Sequence, residues 1–150
     1  MFDELSRNQL AIGGGVVLLV VVVIAVLALG GGGASDASAR DAVLADVESI
    51  RQHEIDHKNI FGDYIAADAA PRAPHEVTVE PVAWTPSRGF KRLSWEPASP
   101  EGVQGSYSVV VEAGGFRVIG VADGDGDGKV ARIEATADQE AHLVTGEEIY

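Results

Sequence analysis

Hydrophobic and polar positions divide this chain into three regimes. From Ala11 to Gly30 (AIGGGVVLLVVVVIAVLALG) no residue is charged or polar. From about Ser38 to Tyr64 the spacing is helical: Val43, Val47, Ile50, His57 and Phe61 fall on one stripe, with Glu54 among them. Beyond Glu76 the period shortens towards two, as half-buried strands require.

The first regime predicts a transmembrane helix over 11–30, with membrane lipid as its partner. About 20 helical residues rise about 30 Å, the thickness of a bilayer's hydrocarbon core. A cleaved secretory signal instead has a positive n-region and an apolar core of about 7–15 residues. Here Met1–Leu10 carries Asp3 and Glu4 against Arg7, and the apolar run is longer. Small residues after it (Gly30–Ala34, Ala37–Ala39) leave a cleavage site open as the alternative. Arg7 before the run and Arg40 after it give little positive-inside bias, so the short stub and large C-terminal part favour N-in, C-out. The expected layout is a cytoplasmic stub at 1–10, the span at 11–30, a Gly/Ser-rich linker at 31–37 and an extracytoplasmic domain at 38–150.

Within that domain the helix has Ser38 or Asp36 as cap and Gly62 as stop. An Ala/Pro-rich loop, Ala66–Pro74, follows. Glu76–Trp84 and Phe90–Trp95 read as short strands. Ser106–Ala113 and Phe116–Ala122 flank Gly114-Gly115, a hairpin turn signal, and Val130–Thr136 reads as a last strand. One helix followed by antiparallel strands is an α+β layout, with an amphipathic helix packed on a small sheet.

Composition narrows the partners. Removing Asp3, Glu4 and Arg7 leaves 21 acidic and 10 basic side chains, a net charge of −11. Such a surface repels nucleic acid and anionic lipid, and no basic cluster offsets it. The absence of Cys excludes disulfides and thiolate metal sites.

The sharpest local motif is Asp123-Gly-Asp125-Gly-Asp127-Gly128. Alternate carboxylates on a glycine-rich loop can turn inward around one hard cation. Calcium in an EF-hand order takes ligands from loop positions 1, 3, 5, 7 and 12. These fall here on Asp123, Asp125, Asp127, the carbonyl of Lys129, and Glu134, with Gly128 at position 6. The flanking segments read as strands rather than helices, and an extended chain places Glu134 about 23 Å of contour beyond Asp127. An unoccupied turn is the alternative, since Asp and Gly are common turn residues.

A second motif, His53-Glu54-Ile55-Asp56-His57, spells HExxH on the helix. That spacing suits two zinc ligands and a general base. A catalytic zinc needs a third protein ligand. The metzincin continuation requires Gly at position 60, where Ile stands, although Asp63 occurs where a ligand is expected. His75 and His142 are the remaining histidines. The favoured expectation is packing: Glu54 and His57 on the core-facing stripe, His53 at its edge. Trp84, Phe90, Trp95 and Tyr107 are read as core.

The order of parts resembles the type IV pilin and pseudopilin superfamily. The residues that carry the likeness are Ala39-Arg40, Leu44, Val47, Ile50-Arg51, Glu54, His57 and Phe61-Gly62-Asp63-Tyr64 after an apolar helix. Trp84, Gly89-Phe90, Leu93-Ser94-Trp95, Tyr107-Ser108-Val109 and the Asp-Gly hairpin then follow. No Gly-Phe junction precedes Ala11–Gly30, so a prepilin peptidase site is lacking. The resemblance implies a non-enzymatic, membrane-anchored structural or assembly component of a cell-envelope filament or secretion system. It further implies homo- or hetero-oligomers with other pilin-like proteins, a calcium-stabilised loop, and residence in a bacterial inner membrane with the domain periplasmic or extracellular. A membrane-tethered zinc peptidase using HEIDH and an anchored calcium-dependent binding module are the alternatives.

Overall fold

In a computed structural model, which describes residues 36–145, the helical stripe becomes α1, Asp36–Phe61. Gly62 stops it: its N–H bonds the Lys58 carbonyl and its φ of 89° is a left-handed conformation that glycine adopts without penalty. Val43, Val47 and Ile50 are no more than 1% exposed, each contributing roughly 1.5–3 kcal/mol over an exposed position. The apolar stripe ends sooner than its spacing predicts. Phe61 is 69% exposed, because the last turn of α1 is not covered by the sheet.

The sheet is a five-stranded antiparallel meander in the order β1-β2-β3-β4-β5. Its strands are Ala67–Ala70, Gly105–Glu112, Gly115–Ala122, Ala131–Thr136 and His142–Leu143. The expected hairpin forms, with its turn one residue earlier than predicted, at Ala113-Gly114, so that Glu112 lies opposite Gly115 and Tyr107 opposite Gly120. Alternation then sorts the faces. Tyr107, Val109, Phe116, Val118, Ile133 and Ala135 are buried beneath the helix side, and α1 lies mainly over β3 and β4. Close approach depends on Gly120: a Cβ there would collide with Val43 and Val47. The opposite face carries Arg117, which reaches Glu112 at 3.3 Å and Glu134 at 3.4 Å.

Several expectations are corrected. Phe90–Trp95 is not a strand: Arg88–Leu93 forms a short helix, α2, that buries Phe90 and Leu93 three residues apart. Its C-cap Ser94 is left-handed, at φ 54°. Glu76–Trp84 is a 3-10 turn at Pro74–Glu76 followed by an isolated Val82–Val103 bridge. The Ala/Pro-rich loop contains β1, whose alanines pair with β2.

The largest correction concerns the membrane. Among the described residues no helix is long and apolar enough to cross one. The long helix among the described residues, α1, begins at Asp36, inside the expected linker, and carries charged residues along its length. The apolar run at 11–30 lies outside the described residues. Where a transmembrane helix, glycine hinge and pilin-like domain are expected, the described residues form an α+β domain, a long helix on a five-stranded antiparallel sheet, with no membrane-crossing helix among them. Nor do the described residues contain the membrane-crossing helix that the expected single-pass, inner-membrane location requires.

Candidate metal centre

The β3–β4 connection is an eight-residue loop, 123–130. Both strands are fixed by their ladder, Ala122 opposite Ala131, so the loop is tethered at both ends. Each aspartate closes a local turn. Asp123 Oδ1 accepts from the Gly126 N–H at 2.8 Å, Asp125 Oδ1 from Asp127 at 3.0 Å, and Asp127 Oδ1 from Lys129 at 2.7 Å. Gly126 and Gly128 take φ of 78° and 81°, which lets the backbone fold back at alternate residues.

The result is convergence. One carboxylate oxygen from each of Asp123, Asp125 and Asp127 lies within 4.8 Å of the others. Asp123 is only 3% exposed and forms the base of the group, while the other two face solvent. The Lys129 N–H bond holds the Asp127 carboxyl below the usual carboxylate range, and the Lys129 ammonium, 3.3 Å from Asp127 Oδ2, acts in the same direction. Oxygen-only donors of this kind suit hard cations such as calcium.

Glu134 does not join them. It lies on β4, opposite Ile119 and His142, where Arg132 Nε reaches it at 2.7 Å and Arg117 Nη1 at 3.4 Å. The twelfth position of an EF-hand works only when a helix folds it back to the loop, and here a strand carries it away. Lys129 is placed on the loop, with its N–H committed to Asp127.

The HEIDH motif is dispersed by its own helix. His53 is exposed, with Nδ1 2.9 Å from the Ser49 carbonyl. His57 Nδ1 lies 2.9 Å from the Asp63 carbonyl. Glu54 points into the core, where Oε2 accepts the Ile65 N–H at 2.9 Å. His142 Nδ1 lies 3.0 Å from the Glu140 carbonyl. Among the described residues no histidine belongs to a converging group of three ligands.

Trp84, Phe90, Trp95 and Tyr107 pack edge-to-face or tilted, with centroids 5.3–6.2 Å apart. A shallow depression beside Pro86, Lys91, Ser94 and Glu96 is floored by Phe90 and Trp95, which are 0% and 3% exposed. Beneath this cluster lies a residue that periodicity did not single out. Asp46 accepts from the Tyr107 hydroxyl at 2.6 Å and from the Ala98 N–H at 3.3 Å. Burial pushes its carboxyl up, against the lowering effect of both bonds, and burial beside Asp46 also pushes the Tyr107 phenol up.

A polar clamp was also missed. Glu48 accepts from Arg51, Gln52 and the Ala141 N–H, while Arg51 donates to the carbonyls of Thr136 and Ala137. Desolvation raises the Glu48 carboxyl, but these bonds and the Arg51 charge outweigh it and hold the group low. The pair Glu48–Arg51, three apart on α1, was the available signal.

Comparison of the chain with protein-family models, curated proteins and solved structures gives no match. The likeness to pilins therefore rests on sequence pattern alone.

Proposed function

We propose that the described domain is a non-enzymatic structural or assembly module whose β3–β4 loop takes one hard divalent cation, calcium by its chemistry. The observation that carries this reading is the convergence of Asp123, Asp125 and Asp127 within 4.8 Å on a loop tethered at both ends. Three carboxylates so placed repel one another, and a divalent cation reverses the sign of that interaction. Three charged ligands, one of them buried, support modest affinity, with solvent or backbone oxygens completing a shell of six to eight. The non-enzymatic reading is supported by the commitment of His53, Glu54 and His57 to backbone groups.

Thermal unfolding of the full chain in chelator and in millimolar calcium tests the site. The expected outcome is a higher Tm in calcium that disappears in an Asp125→Asn variant. Equal melting of the parent protein under both conditions rejects the reading.

A further inference from the structure

The buried end of the HEIDH motif does something the metal loop does not explain. Glu54 is fully buried; Oε2 holds the Ile65 N–H, and Oε1 has no hydrogen-bond partner among the described residues. A carboxylate in that position has one donor where a buried anion needs several, which makes ionisation in place costly. A neutral acid keeps the Ile65 bond without burying a charge.

The turn that Glu54 holds is short and multiply tied. Gly62 N–H bonds the Lys58 carbonyl, Lys58 Nζ donates to the Gly62 carbonyl at 2.6 Å, and His57 Nδ1 lies 2.9 Å from the Asp63 carbonyl. All these other ties are at solvent-exposed groups; the Glu54–Ile65 bond is the buried one. The charged groups acting on Glu54 are His57 on its own helix, which favours the anion, and Asp63 on the turn, which opposes it. Tyr64, stacked on Phe116 of β3 at 4.8 Å, joins the turn to the sheet.

We propose that Glu54 is a proton-operated latch: neutral, it holds the Gly62–Ile65 turn against the core; ionised, it gives its proton to solvent, leaves the core and frees the turn. Burial, the largest influence on this carboxyl, raises it above its ordinary range. The turn follows Ile60 and Phe61, 71% and 69% exposed, so the latch sets whether this apolar pair is presented on a fixed or a loose support.

The test uses the full chain in chelator, which separates it from the cation reading. The Glu54 carboxyl ¹³C shift and the protection factor of the Ile65 amide are followed from pH 4 to 8, with Val118 as reference. The expected result is a Glu54 midpoint above that of exposed Glu80, with Ile65 protection falling about tenfold through it, equivalent to about 1.4 kcal/mol. In a Glu54→Gln variant, protection should stay high and flat. If that variant does not fold, the titration of the parent protein decides alone. Glu54 titrating together with Glu80, or Ile65 protection unmoved as Glu54 ionises, overturns the proposal.

Discussion

The β3–β4 loop and the core face of α1 both carry carboxylates, and they treat them oppositely. Asp125 and Asp127 stand in solvent on backbone N–H groups, and the Asp127 carboxyl is held low by the Lys129 N–H. Asp46 and Glu54 are buried with few donors, and burial pushes both up. The same functional group thus has its proton affinity lowered at Asp127 in one region and raised at Asp46 and Glu54 in the other. What differs is the access of water, not the residue type: burial is the largest influence on Asp46 and Glu54.

The largest break in this contrast comes from removing a buried partner. Asp46→Ala leaves the Tyr107 hydroxyl without its acceptor, and urea unfolding should show a loss of about 2–3 kcal/mol. Next is pH. Asp46 and Glu54 have folded-state values above their unfolded ones, so the native state holds their protons more tightly. Their contribution is greatest below the unfolded values of about 4 and declines as pH rises through the folded ones, by up to about 1.4 kcal/mol per pH unit for each group as it titrates. Asp127 and Glu48 slope the other way, adding stability above their unfolded values that is lost on acidification through the folded ones. Unfolding free energy in chelator should therefore fall as pH rises above the unfolded carboxylate values, and Glu54→Gln should flatten that fall.

Calcium at ten times its Kd should add about 1.4 kcal/mol in the same unfolding assay. The smallest effect sharpens the membership of the site. Glu134→Gln should leave the calcium increment unchanged and shift stability by less than about 1 kcal/mol, because Glu134 pairs with the half-exposed Arg117 and Arg132 on the face of the sheet away from α1. A calcium increment that vanishes with Glu134→Gln returns it to the ligand set.

Local signals account for what could be read from the chain. The hairpin at Gly114 was legible to within one residue because a glycine turn between two β-branched-rich segments acts within a few residues. The aspartate triad was legible for the same reason: its glycines shape the loop without distant help. The Phe90–Trp95 segment was misread because six residues with Phe90, Leu93 and Trp95 apolar fit either period. β1 was hidden in an alanine-rich loop, where pairing with β2 outweighs weak strand propensity. HEIDH was a motif without its context. Spacing set the two histidines one turn apart, while the packing of α1 on the sheet turned Glu54 inward.

By itself the sequence determined the long helix, its glycine stop, the central hairpin and the clustering of Asp123, Asp125 and Asp127, all of which depend on contacts a few residues apart. Only the tertiary structure decided that Asp46 meets Tyr107 across 61 positions, that Glu54 latches a turn, and that Glu134 leaves the loop for Arg117 and Arg132. The reason is burial. A carboxyl acquires its role from the donors and dielectric that folding places around it, and those come from distant parts of the chain.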